Sequence, residues 1–455
     1  MELFKRLSLI SLVAVCLGAM GQTRDARQLI AENPDRAACN MHSYEFLPIV
    51  DTPAPAGFQP VYISHYGRHG SRYDLSSNVC DRAIRTLAKA DSLGQLTTAG
   101  RELLGTIKII AKEHEGMGGE LSPRGGREHQ QLAERMAGRF PEVFSQEGRS
   151  DVNVVASTVQ RCIVSMANFT SSLKGAFPTI HLQMTSGERF SPIIRLSNNK
   201  THLSLPEKRG DGISRGAQGR RDMGRRDAAP LDGNFDQFMS KVFVRPETVT
   251  KEDRDDFIRS VYKAGGFCQD LDFLGVEVYR TYFTTDELYS LWKEENNTVY
   301  GRWANSIENG EKNVRQAIPL LSDIIAKADK ALEPGSTVCS DLRFGHDMGY
   351  MALASLLGID TDDGARYHQA EAYRHWMSFE MVPMAANLQF IFYRNQEGVV
   401  LVKILRNEKE VSLPGLIPYA GPYYKWDDVR SEGRVREKLF NYFLRRQPPD
   451  TPSAT

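Results

Sequence analysis

The sequence predicts an α/β fold, a mostly parallel sheet flanked by helices, with a smaller, mainly helical domain inserted into it. Three observations lead there. Residues 61–65, β-branched and aromatic, read as a strand, and 151–157 and 338–344 as a second and a third. Segments with helical apolar spacing lie between these runs. From 177 to 331 the strand signal fades, and helical segments rich in Tyr, Trp and acidic residues replace it. Strands alternating with helices at both ends of a chain mark an α/β core.

The elements follow in order. Residues 1–21 carry Lys5 and Arg6, an apolar run, and Ala19-Met20-Gly21 before Gln22, the three-part pattern of a secretory signal peptide. Its apolar run is shorter than the ~18 residues expected of a spanning helix, so no stable membrane insertion is expected after its removal. The first strand, 61–65, follows a Pro-Ala-Gly turn. Helices are expected at 81–90 and at 99–112, where Leu103, Leu104, Ile107, Ile110 and Ala111 share a face. Ser122 and Pro123 supply an N-cap and a first helical residue for a helix reaching about 140. The strand at 151–157 comes next. A helix at 313–332, kinked by Pro319, leads into the third strand, and runs at 387–394 and 399–405 suggest a hairpin. The expected organisation is a core in two parts, 22–176 and 332–455, around a helical insertion at 177–331. Within the insertion, the Gly- and Arg-rich stretch 208–226 reads as a solvated loop, or as a basic lip for a polyanion.

Charge and cysteines narrow the function classes. The 455 residues hold 57 basic and 57 acidic side chains, so no basic excess suggests nucleic-acid binding. Of six cysteines, Cys16 would leave with the signal. Cys39, Cys80, Cys162, Cys268 and Cys339 would remain, an odd number that leaves at least one free thiol. Cys162 and Cys339 are expected as buried thiols. No Cys or His cluster has zinc-ligand spacing.

Three strand ends carry unusual polar residues. After the first come Arg68, His69 and Arg72, after the second Arg161, and after the third His346 and Asp347. Ligands of open α/β sheets bind at the carboxyl ends of strands, so these six can meet at one point. Arginines crowded around a histidine repel one another and disfavour its protonation unless an anion sits among them. A phosphate monoester is such an anion, and guanidinium groups match its oxygens. A neutral imidazole can accept the phosphoryl group, and a carboxylic acid can protonate the leaving alkoxide. Arginines can stabilise the transition-state charge, so no metal or other cofactor is implied.

RHGSR at 68–72 and FGHD at 344–347 resemble the two signatures of the histidine acid phosphatases, the branch of the histidine phosphatase superfamily that includes phytases. LSPRGGREHQQLAERMAGRFP at 121–141, VVASTVQRCIVSM at 154–166 and VPMAANLQFIFYR at 382–394 are similar to further segments of that family. The resemblance implies that His69 is a nucleophile forming a phosphohistidine. Arg68, Arg72, Arg161 and His346 would hold the phosphate, and Asp347 would be the general acid and then the base. It implies an exported, metal-independent phosphomonoesterase with a small phosphorylated substrate, foremost an inositol polyphosphate. A broad acid phosphatase, a phosphoryl mutase and a non-catalytic phosphate binder are the alternatives. Two departures stand out. Asp74 replaces a common proline, and His346-Asp347 is the acid-phosphatase form where the inositol-polyphosphate branch typically has His-Ala-Glu. His65 is expected to be a sheet residue and His129 a surface or packing residue. Arg343 could reach substrate or pair with an acid.

Overall fold

A computed structural model describes residues 25–76, 78–195, 229–362 and 364–431. The expected signal at 1–21, with Cys16, and the stretch 208–226 lie outside the described residues.

The strands are β1 (Gln59–Arg68), β2 (Asp151–Ala156), β3 (His181–Ser186), β4 (Val338–Gly345), β5 (Asn387–Arg394), β6 (Val400–Arg406), β7 (Lys409–Glu410) and β8 (Tyr423–Lys425). They form one sheet in the order β3-β2-β4-β1-β5-β6-β7, with β8 paired to β6. The β3-β2-β4-β1 half is parallel. The other half is antiparallel, beginning at the β1–β5 pair and including the β5–β6 hairpin. The parallel half fixes the site. Arg68 is level with Gly345, and Ala156 with Phe344, so the carboxyl ends of β1, β4 and β2 finish side by side.

The main helices are α1 (Asp81–Ser92), α2 (Thr98–Glu113), α3 (Pro123–Arg139), α4 (Gln160–Ala176), α5 (Lys251–Gly266), α6 (Thr285–Trp303), α7 (Ile318–Leu332) and α8 (Asp347–Leu357). β1 alternates its side chains between two cores, as strand geometry requires. Tyr62 and Tyr66 join Leu320 and Ile324 of α7 and Leu353 of α8 on one face. Ile63 joins Leu132 and Met136 of α3 and Phe169 of α4 on the other. No helix among the described residues is long and apolar enough to cross a membrane.

A third core is mainly helical, and it draws on segments outside the expected insertion as well as within it. It gathers Ile30 and Cys39 from the N-terminal segment, Leu87 of α1, Leu103 and Ile107 of α2, Phe257 and Val261 of α5, and Leu288 and Trp292 of α6. Both ends of the expected insertion at 177–331 contact the sheet. Its first residues form β3, which extends the sheet beside β2. Its last residues form α7, which packs on the sheet core. Pro319 also differs from expectation. It sits in the first turn of α7, where its missing N–H costs nothing, and the chain before it forms a separate short helix, Gly310–Arg315.

Candidate active site

The RHGSR segment leaves β1 pinned on both sides. Arg68 N donates to Ala386 O at 2.8 Å, and His69 N donates to Gly345 O at 3.0 Å. The turn that follows presses against the first turn of α3, which Ser122 caps. A Cβ on Gly70 would stand 2.5 Å from Gly125 O, and a Cβ on Gly125 would meet Ser71 O. Two glycines thus let two backbones touch. Ser71 is also anchored to α3, its N and Oγ each donating to Glu128 at 2.8 Å.

His69 is 3% exposed. Its Nδ1 lies 2.9 Å from Gly70 O, which can only accept, so Nδ1 carries the hydrogen and the lone pair is on Nε2. Burial, then the charges of Arg161, Arg68, His346 and Arg72, push its pKa well below the ordinary histidine value. His69 is a neutral imidazole.

The arginines come from three places. Arg68 is buried, and its Nη1 donates to the carbonyls of Asn40 and Val382. Arg72 donates to Tyr73 O at 2.8 Å, and burial with Arg161 and Arg68 nearby lowers its pKa to about 10. Arg161, in the first turn of α4, lies 3.4 Å from His346 Nδ1. A guanidinium only donates, so His346 Nδ1 accepts and its Nε2–H donates to Ser157 Oγ at 3.0 Å. Burial and Arg161 lower the His346 pKa to about 3. The His69 and His346 ring centroids are 5.7 Å apart at an interplanar angle of 74°.

Asp347 opens α8. Its Oδ1 accepts from Met348 N at 2.9 Å, and its Oδ2 accepts from Asn40 Nδ2 at 3.1 Å. Arg68 Nη2 is 3.5 Å from the same Oδ2. Burial raises the Asp347 pKa, but Arg68, His346 and Arg72 outweigh it and hold the carboxyl below its usual range.

All six residues singled out in the sequence thus lie around one point. Arg343 does not join them. It is fully buried and paired to Asp323 at 2.7 Å, within the sheet core. His65 and His129 are buried packing residues, each set against the rings of Phe169 and Phe344. Asp74 caps its own turn, accepting from Ser76 N at 3.1 Å. Cys39, Cys80, Cys162, Cys268 and Cys339 are all buried free thiols. Cys162 Sγ lies 3.6 Å from His346 Nε2, and burial raises its pKa to about 12. Sequence reasoning did not single out Asn40, Ser157, Glu128 or Asp270 as site residues. Ser157 carried a signal, standing at a strand's carboxyl end beside Arg161. Asn40 and Asp270 stand in segments without a motif.

No family model matches the chain. It is 25% identical over 385 residues to human multiple inositol polyphosphate phosphatase 1, covering 78% of this chain and 75% of that protein. The chicken protein of the same name is also 25% identical, over 395 residues and 78% of each chain. Among solved structures, the chain matches the multiple inositol polyphosphate phosphatase of Bifidobacterium longum in complex with phosphate. The TM-score is 0.70 at 17% identity, over 89% of this chain and 98% of that one. The same enzyme in complex with inositol hexasulfate matches with a TM-score of 0.65 at 17% identity, over 88% of this chain and 97% of that one. The D. castellii phytase matches with a TM-score of 0.65 at 15% identity, over 93% and 89% of the two chains. With its two motifs meeting at the ends of β1 and β4, the chain is similar in sequence to these inositol polyphosphate phosphatases, which are phosphomonoester hydrolases, and shares its fold with a phytase, in support of the resemblance to the histidine acid phosphatases.

Proposed function

We propose that this chain hydrolyses inositol polyphosphates through a phosphohistidine on His69. The supporting observation is His69 itself, a neutral imidazole with its lone pair on Nε2 and three arginines around it. The substrate class rests on the two curated relatives, both named for inositol polyphosphates.

The chemistry runs in two displacements. The Nε2 lone pair attacks phosphorus, forming an N–P bond as the ester P–O bond breaks. Asp347, as a carboxylic acid, gives its proton to the departing alkoxide. Water then attacks phosphorus, Asp347 takes a proton from it, and the N–P bond breaks to return the lone pair to His69. Arg68, Arg72 and Arg161 stabilise the phosphoryl oxygens throughout. Arg161 leaving His346 for the phosphate would free His346 Nδ1 to take a proton and add a fourth donor.

The bound dianion also explains how Asp347 can be an acid. Arg68 and Arg72 hold it ionised, and phosphate charge beside them offsets that pull, so substrate itself raises the Asp347 pKa. We read residues 1–21 as an export signal, which would place the enzyme outside the cytoplasm.

The test is phosphate release from phytate and from an aryl phosphate, side by side in EDTA. Release from phytate is expected. Release from the aryl phosphate alone would leave a general acid phosphatase, and silence on both would contradict the proposal.

A further inference from the structure

Behind the RHGSR turn, two buried carboxyl groups are joined through two serines. Glu128 Oε1 is 2.8 Å from Ser71 Oγ, Ser71 Oγ is 2.9 Å from Ser43 Oγ, and Ser43 Oγ is 3.1 Å from Asp270 Oδ1. The four side chains come from α3, the turn after β1, the N-terminal segment and the turn after α5. All four are at most 2% exposed.

Proton counting decides the state of this chain. Two serine hydroxyls supply two hydrogens for three oxygen–oxygen contacts. With both carboxyls ionised, one contact would set two bare oxygens against each other in a buried site. One more proton completes the chain, and the partners say where it sits. Glu128 already accepts from Ser71 N at 2.8 Å, Tyr44 N at 3.0 Å and Ser71 Oγ, the environment of a carboxylate. Asp270 has the single contact at Oδ1, and its buried Oδ2 has no partner. An ionised Asp270 would leave most of its charge unmatched.

We infer that Asp270 is a protonated carboxyl that donates to Ser43, which donates to Ser71, which donates to the Glu128 carboxylate. A one-directional relay of this kind fixes the rotor of Ser71, two residues from His69 and next to Arg72. Asp270 is thereby a positioning residue that ties the phosphate-binding turn to the helical core. The charged and titratable groups that bear on it agree. Burial and then Glu128 push the Asp270 carboxyl well up, against the pull of Ser71, Arg72 and Ser43. Arg68 also senses both carboxyls, the Cys268 thiol senses the charge of Asp270, and Arg124 Nε stands 3.8 Å from Glu128 Oε1. The positioning role rests on His69 as nucleophile; the protonation does not.

Asp270→Asn tests the protonation without any activity assay, because the amide is an isostere of the acid that does not titrate. A carboxyl with a raised folded pKa stabilises below its unfolded pKa and loses that contribution as pH rises through the folded value. The Tm of Asp270→Asn minus that of the wild type should therefore climb with pH and level off above the folded pKa. A flat or falling difference would overturn the inference, and so would failure of the amide variant to fold. The positioning role is read from kcat and KM on an aryl phosphate. Asp270→Asn should stay within about threefold of wild type, while Asp270→Ala should lose about tenfold or more in kcat. Equal loss in both variants would show that the carboxylate charge is needed instead.

Discussion

Arg68 Nη2 stands 3.5 Å from Asp347 Oδ2, so a group proposed to hold phosphate also bears on the charge of the proposed acid. Asp347 must be neutral to protonate an alkoxide, yet its surroundings hold it ionised. Asp347 can be protonated at working pH only if substrate charge relieves that hold, and this gives a signature. The acidic group governing kcat should titrate at higher pH than the one governing kcat/KM, because the first belongs to the complex and the second to the free enzyme. Coincident values would argue against this coupling.

Asp347→Asn removes the proton donor and keeps the shape. Hydrolysis of alkyl phosphates, whose leaving groups need a proton, should slow by about 10²–10⁴. In kcat/KM, which reports transfer to His69 and not the later dephosphorylation that Asp347 also serves, aryl phosphates should slow far less. The two kcat/KM ratios decide the point, and equal falls in both would remove Asp347 from the acid role.

Gly70→Ala tests the contact between the RHGSR turn and α3. Its Cβ would fall 2.5 Å from Gly125 O, a backbone atom that cannot swing aside. A loss of about 1–3 kcal/mol in stability is expected, as for overpacking elsewhere, together with a fall in kcat from the displaced His69. Chemical denaturation and kinetics on the same sample check both, and an unperturbed variant would contradict the packing described.

His65 and His129 should make the fold acid-sensitive. Both are buried and held to a pKa of about 3, burial being the main cause. A histidine with a depressed folded pKa stabilises fully above its unfolded value of about 6.5 and loses that contribution as pH falls toward the folded one. Each would cost roughly 3 kcal/mol between pH 6.5 and 4. His129→Leu should flatten the fall of Tm over that window, and an unchanged slope would contradict the burial argument.

The site was readable in the sequence largely because its residues sit in motifs at the ends of strands. RHGSR and FGHD each stand at the end of a strand, and the parallel register of β1 and β4 does the rest. What stayed hidden has physical causes. β3 is an edge strand exposed along nearly its whole length, so it shows no apolar run, and among the described residues it pairs only with β2. The helical core draws on segments far apart in the chain, and no local pattern states which helices will meet. Asn40 and Asp270 reach the site through that core, so they look like ordinary polar residues. Glu128 and His129 are buried within the polar-looking run GGREHQQ, one through hydrogen bonds to Ser71 and Tyr44, the other through aromatic packing.

The most direct measurement is a rapid acid-free quench of the enzyme turning over a ³²P-labelled substrate, followed by mapping of the labelled peptide. An acid-labile, base-stable phosphoryl group is expected on His69, accumulating in Asp347→Asn as dephosphorylation slows, with no label or turnover in His69→Ala. Phosphate release by His69→Ala at the wild-type rate, or label on another residue, would contradict it.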